Sequence, residues 1–181
     1  MPKDAKLKIR QVGPGDGSTN DDARLISVLG TVAFYEAYYL QDEPESLVGY
    51  ILDSFSPELI LAEIDDPAAT FFVVYNDEKA VGFAKLLRGE PHASVVGESP
   101  IELQRIYIIE NVYGKGVGEH LLRHCLEFAR SEGRKTLWLG VWQENLRGQR
   151  FYQKHGFRKV GTKPFPYGDD VESNHIMQIG L

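Results

Sequence analysis

Apolar and polar positions alternate with period two across Leu7-Lys8-Ile9-Arg10-Gln11-Val12, the signature of a strand with one buried face. A loop over 13–20 follows. Asp21 or Asp22 can then cap a helix in which Ala23, Ile26, Leu29, Ala33 and Ala37 recur at three- and four-residue steps. Pro44 suits the first turn of a second helix, with Leu47, Ile51, Leu52 and Phe55 on one side. Ser56-Pro57 interrupts that pattern before another helical stretch reaches Ile64. Two apolar runs, Phe71-Phe72-Val73-Val74-Tyr75 and Ala80-Val81-Gly82-Phe83-Ala84-Lys85-Leu86, flank the turn Asn76-Asp77-Glu78 and predict a hairpin.

Residues 88–100 read as a loop and 101–109 as a strand that runs into Tyr113-Gly114-Lys115-Gly116-Val117-Gly118. A helix extends from there to Glu132 and stops at Gly133. A strand over 136–142, a short helix over 145–155 ended by Gly156, and two last strands near 158–162 and 175–181 complete the chain, with a loop between those last strands. This order suits an α/β fold in which one mixed sheet carries helices on both faces. The 181 residues, 43% of them hydrophobic, are expected to form one domain over 1–181.

No apolar run of 18 residues is present, and the start Met1-Pro2-Lys3-Asp4-Ala5-Lys6 is charged where a signal peptide turns apolar. A cytoplasmic protein without a membrane partner is expected. Twenty basic against 26 acidic residues give a net charge of -6, which disfavours nucleic acid and favours cationic small molecules. Cys125 lies at helical spacing among Leu121, Leu122 and Ala129 and reads as core filling. His120 and His124 stand four apart but have no acidic partner at 121 and read as a solvated face, so no metal is expected.

The glycines of Tyr113–Gly118 sit between a predicted strand and a predicted helix. They could cradle a pyrophosphate on main-chain N–H groups or form an ordinary turn. The spacing matches neither G-x-x-x-x-G-K-[ST] nor G-x-G-x-x-G.

Downstream, Leu139-Gly140-Val141-Trp142 is followed by Asn145, Phe151-Tyr152 and Gly156-Phe157. Together the two segments resemble the acetyl-CoA-binding core of the GNAT N-acetyltransferase superfamily, with its loop [QR]-x-x-G-x-[GA], then a strand, an asparagine and a tyrosine-bearing helix. Tyr113 departs from that loop, standing where Gln or Arg is usual. The strings Glu102-Leu103-Gln104-Arg105-Ile106-Tyr107-Ile108, Leu137-Trp138-Leu139-Gly140-Val141-Trp142 and Gly168-Asp169-Asp170-Val171-Glu172 with Ile176-Met177 resemble the PaiA-type branch, whose members acetylate polyamines. Gly148 replaces a common alanine of that branch.

The resemblance implies a GNAT fold, a mixed and mostly antiparallel sheet of about six to seven strands with helices on both faces. It also implies acetyl-CoA as cosubstrate and a small amine such as spermidine or spermine as acceptor, and leaves room for a homodimer. Other acceptors (a protein N-terminus, an amino acid, an aminoglycoside) and a non-catalytic acetyl-CoA-binding regulatory module are the alternatives. Cofactor contacts carry over to Ile106, Tyr107, Ile108, Tyr113, Gly114, Lys115, Gly116, Val117, Gly118, Asn145 and Tyr152. Main-chain N–H groups of Ile106 and Ile108 would meet the oxyanion.

An acceptor amine with a reference pKa near 10.4 loses its proton at pH 7 at a cost of roughly 4.6 kcal/mol. Glu102 is the candidate base, directly or through water, or else a solvated strand-end carboxylate. By resemblance Tyr152 protonates the leaving thiolate; otherwise it is a core aromatic beside Phe151. Tyr35 and Tyr38 on the first helix, and Asp169, Asp170 and Glu172 on the last loop, are the candidate acceptor contacts.

Overall fold

Successive side chains of a strand point to opposite faces, and the hairpin strands here carry apolar side chains on both because both faces are covered. The computed structural model describes residues 6–13, 20–168 and 170–181, with Asp170 described by its backbone alone. Its strands are β1 (Leu7–Val12), β2 (Ala69–Asn76), β3 (Lys79–Leu87), β4 (Pro100–Ile108), β5 (Thr136–Trp142), β6 (Arg158–Tyr167) and β7 (Asp170–Gly180). Five α-helices accompany them among the described residues, α1 (Asn20–Tyr38), α2 (Pro44–Phe55), α3 (Pro57–Asp65), α4 (Val117–Ser131) and α5 (Leu146–Lys154), with one 3-10 turn at Glu110–Val112. The strands form one sheet in the order β1-β2-β3-β4-β5-β7-β6, antiparallel except for the β4–β5 pair.

Phe71, Val73 and Phe83 of the hairpin pack with Ile26, Phe34, Phe55 and Ile60 of α1, α2 and α3. The alternate residues Phe72, Val74 and Ala84 pack with Leu121, Leu122 and Cys125 of α4. Two cores thus lie on opposite faces of the sheet. Cys125 is fully buried, as its spacing predicts, and its thiol is pushed up to about 12 by that burial. His124 differs from the expected solvated position: it is half-buried, its ring edge meets Phe72 at 4.7 Å, and burial lowers its pKa. No group of metal-binding side chains and no helix long and apolar enough to cross a membrane is found among the described residues.

Helix caps follow the sequence closely, with Ser56 accepting from the Leu59 N–H at 3.3 Å and Gly133 and Gly156 at φ +74 and +89 beyond α4 and α5. At the start of α1, Asp22 is not a cap but a bidentate partner for Arg10 of β1. Most of the loop expected over 13–20 lies outside the described residues. The last two strands are longer than predicted. β6 runs on through Pro164 and Pro166, which its place at the edge of the sheet permits, and the alternate residues Lys163, Phe165 and Tyr167 turn inward. Glu172, expected on a loop, is therefore a half-buried residue of β7.

One irregularity shapes the site. In the β3–β4 ladder Lys85 pairs with Arg105 but Leu86 pairs with Leu103, so Gln104 is an extra residue, a bulge that bends β4. Glu63 of α3 accepts two hydrogen bonds from Arg105, at 2.9 and 3.1 Å, and pairs with the buried Lys85 ammonium at 3.1 Å. Burial lowers the Lys85 pKa and the Glu63 charge opposes that shift. Replacing Glu63 by Gln leaves two clustered cations without their counter-charge, expected to cost on the order of 3 kcal/mol and to lower Tm by roughly 6–12 °C. Adding Lys85→Met should recover part of the loss. Thermal unfolding checks both, and a Glu63→Gln protein that melts with the wild type would show that the cluster is not holding the bulge.

Candidate active site

β4 and β5 share a ladder only where Pro100, Ile101 and Glu102 meet Thr136, Leu137 and Trp138. Beyond Glu102 the bulge carries β4 away while β5 stays paired with β7 along its full length. The sheet therefore forks. The N–H of Ile109 donates to the Val81 carbonyl on β3 at 3.0 Å, so by the alternation of an antiparallel ladder the N–H groups of Ile106 and Ile108 face the fork.

Two cavities, of about 350 and 720 Å³, adjoin this fork and share four lining residues, Tyr38, Ile106, Asn145 and Tyr152. The larger is bordered by Tyr113, Gly114, Gly116, Val117 and Gly118 at the N-terminus of α4. Gly114 and Gly116 have φ of +73 and +78, and a Cβ on either would meet nothing within 4 Å. Backbone conformation rather than crowding demands glycine there, and the bare main chain faces open space beside the positive end of a helix. That arrangement suits a phosphate group.

Asn145 caps α5, its Oδ1 accepting from the Gly148 N–H at 2.8 Å while its Nδ2 donates to the Tyr38 hydroxyl at 3.2 Å. A methyl at Gly148 would come within 2.9 Å of that amide. The absent side chain thus makes room for the capping asparagine. Tyr152 is 9% exposed, between the rings of Phe151 and Phe157, and burial pushes its hydroxyl well above the usual phenol range. Tyr38 is pushed up to about 12, again chiefly by burial. Both hydroxyls hold their protons at neutral pH.

The smaller cavity is lined by acidic and aromatic side chains. Glu102, the last residue of β4 paired with β5, is raised in pKa by burial, with Lys163 and Lys85 opposing the rise. Glu172 accepts from the Trp142 indole N–H at 3.1 Å, and Asp42 from the Tyr167 hydroxyl at 2.6 Å. Oδ1 of Asn174 is buried here with no hydrogen-bond partner among the described residues.

A model of the acetyltransferase (GNAT) family matches residues 29–157. The chain belongs to this family. It is 31% identical over 134 residues to an uncharacterised N-acetyltransferase of Mycobacterium tuberculosis, covering 74% of this chain and 81% of that one. The fold is similar to that of the PaiA N-acetyltransferase from Thermoplasma acidophilum in complex with coenzyme A, with a TM-score of 0.74, 21% identity and 97% and 99% of the two chains covered. The ribosomal-protein-S18-alanine N-acetyltransferase from Escherichia coli gives 0.68 and 18%, covering 97% and 94%. The protein is thus an acetyl-CoA-dependent N-acetyltransferase with a seven-stranded GNAT fold.

In this GNAT enzyme the structure brings Glu102, Ile106, Tyr107, Tyr38 and Glu172 to the smaller cavity and Ile108 with the glycine loop to the larger. Tyr35 lines neither: it is half exposed and stacks on Tyr39. Lys115 is also outside both, its ammonium donating to the Asn111 carbonyl at 2.8 Å. Asp169 lies outside the described residues, as does the side chain of Asp170. Lys163, Phe165, Tyr167 and Asn174 were not singled out from the sequence, although the alternation Lys163-Pro164-Phe165-Pro166-Tyr167 carries the signal of a strand with one inward face.

The loop geometry makes a contrast between two glycines. Gly116→Leu introduces a left-handed side chain at the open main chain and should weaken coenzyme A binding by about tenfold or more. Gly118→Ala meets only Phe151 and Ile108, at 3.8 and 3.9 Å, and should stay within about twofold of wild type. Calorimetric titration distinguishes them. Wild-type affinity in a cooperatively folded Gly116→Leu protein would exclude this loop as the phosphate site.

Proposed function

We propose that this enzyme, acting as a single acetyltransferase domain over 1–181, moves acetyl from acetyl-CoA to a primary amine of a small polyamine such as spermidine or spermine. The observation that carries the reading is the smaller cavity at the fork, where Asp42, Glu102 and Glu172 stand among the rings of Phe34, Tyr50, Trp142, Phe165 and Tyr167. A polyamine presents several ammonium groups along an apolar chain, and carboxylates and aromatic faces are the groups that hold such a chain. The buried Oδ1 of Asn174 adds an acceptor for an N–H donor. Likeness to the PaiA fold agrees with this reading.

Glu102 takes a proton from the acceptor ammonium, directly or through water, and the freed lone pair attacks the thioester carbonyl carbon. Negative charge gathers on the carbonyl oxygen, where the N–H groups of Ile106 and Ile108 are the donors on offer. The carbon–sulfur bond then breaks, the thiolate takes the proton of Tyr152, and the second proton leaving the acceptor nitrogen restores the Tyr152 hydroxyl through water, so that Glu102 keeps the one proton released overall. Burial weakens Tyr152 as an acid, and the same water-poor surroundings also disfavour a bare thiolate and so favour its protonation.

An amine panel scored by thiol release tests the acceptor. Spermidine or spermine should be preferred, and the spermidine KM should rise severalfold with Glu172→Gln. Lys163 in the same cavity favours a second class, amines that also carry a carboxylate; preference for an amino acid over both polyamines would select it and sink the polyamine reading.

The pH profile tests the base and the acid together. Burial raises Glu102, so the rising limb of kcat/KM should lie above the ordinary carboxylate range. Lys163 lowers that pKa, so Lys163→Met should move the limb to higher pH, and Glu102→Gln should abolish it. Tyr152→Phe should lower kcat by about 10²-fold at nearly constant KM while leaving the limb in place. A limb that ignores both Glu102→Gln and Lys163→Met would remove Glu102 from the mechanism.

A further inference from the structure

The larger cavity has an acidic rim for a site that suits phosphates. Glu36, Glu110, Glu119 and Glu144 line it, against the cations Arg147 and Lys154. Lys154 is 3.5 Å from Glu119 and its charge is already matched. Glu36 spends one carboxylate oxygen on the Glu110 N–H at 2.7 Å. A pyrophosphate arriving here meets main-chain N–H groups and one uncommitted cation.

That cation is Arg147, in the first turn of α5. Its guanidinium carbon sits 3.6 Å from the centre of the Tyr113 ring, and it makes no ion pair or hydrogen bond to the described residues. Contact with a ring uses the face of a guanidinium and leaves its N–H donors, which lie in its plane, free. Those donors match a phosphate in a bidentate way that a lysine ammonium cannot. Tyr113 is half-buried, and burial raises its hydroxyl pKa, so it presents a neutral aromatic platform. Both residues border the cavity together with Gly114 and Gly116.

We propose that Arg147, held over the Tyr113 ring, is the side-chain ligand for the phosphates of coenzyme A in this enzyme. The platform and the cation come from separate elements, the turn before α4 and the start of α5, so the pair also ties the two helix N-termini that border the cavity. This inference rests on the glycine loop being the phosphate site, which the Gly116→Leu titration addresses on its own.

Calorimetric titration of Arg147→Ala with coenzyme A should show Kd raised by roughly tenfold or more, the scale of a lost charge-assisted pair. The KM for S-acetylpantetheine, which carries no phosphate, should change by less than about twofold. Tyr113→Leu, which removes the ring face under the guanidinium, should lose part of the affinity. Tyr113→Arg in the Arg147→Ala background should restore most of it by returning a guanidinium to the same rim. A Kd within twofold of wild type in Arg147→Ala overturns the proposal, as does an equal loss with S-acetylpantetheine, which would make Arg147 a packing residue. If Gly116→Leu weakens coenzyme A binding and Arg147→Ala does not, the loop assignment stands and only the role of Arg147 falls.

Discussion

Glu63 holds two cations at the same moment, and the shape of the site follows from that contact. Lys85 and Arg105 are partners across β3 and β4, directly beside the extra residue Gln104. One carboxylate from α3 reaches both. The pair of cations would repel if left alone, and Lys85 is 4% exposed, so water cannot replace the carboxylate. With the register shift clamped, β4 bends away from β5 after Glu102. From this one bend come the fork, the N–H groups of Ile106 and Ile108 that face it, and the position of Glu102 at the last paired rung.

Burial then sets the protonation of everything that lines the fork. Tyr38, Tyr152 and Glu102 are all shifted toward their neutral forms, each chiefly through desolvation. For the two phenols this secures a proton to give. For Glu102, the proposed base, it would be a handicap if unopposed, because a base must be ionised to act, and Lys163 and Lys85 supply the opposing field. Lys85 therefore serves the fold through Glu63 and the site through Glu102. The local chemistry of proton donor and proton acceptor is divided by charge placement more than by residue type, and a low-dielectric fork strengthens each of these influences.

Much of this architecture was legible in the residue pattern, and where it was not the reason is physical. Period-two and period-three-to-four spacing located α1 to α5 and the β2–β3 hairpin because those segments bury one face each or two faces continuously. The glycine loop and the Asn145-to-Tyr152 spacing pointed to the larger cavity through their resemblance to the GNAT core, and the positive φ of Gly114 and Gly116 is the physical reason glycine stands there. The smaller cavity was harder to read. Its wall includes β6, whose prolines at 164 and 166 argue against a strand unless the strand is known to be at the edge of the sheet. The bulge at Gln104 leaves no local mark either, since it is fixed by a partner on α3 distant in sequence. Tyr35 and Tyr38 show the same limit: both are tyrosines of α1, yet three residues of helical rotation put one on solvent beside Tyr39 and the other on Asn145.

The carboxylates around the smaller cavity are not equivalent, and their partners rank them as contacts for a cationic acceptor. Glu63 is neutralised by Lys85 and Arg105 and has little charge left to offer. Glu102 is the proposed base and has to exchange a proton. Asp42 and Glu172 are different: their partners are the Tyr167 hydroxyl and the Trp142 indole N–H, neutral donors that orient a carboxylate without cancelling its charge. Both residues line the cavity. Tyr167 and Trp142 also present ring faces beside the carboxylates they position, so an ammonium drawn to either would meet charge and aromatic surface together. Recognition of an extended polycation would then fall to Asp42 and Glu172, leaving Glu102 at the fork free for the one nitrogen that reacts.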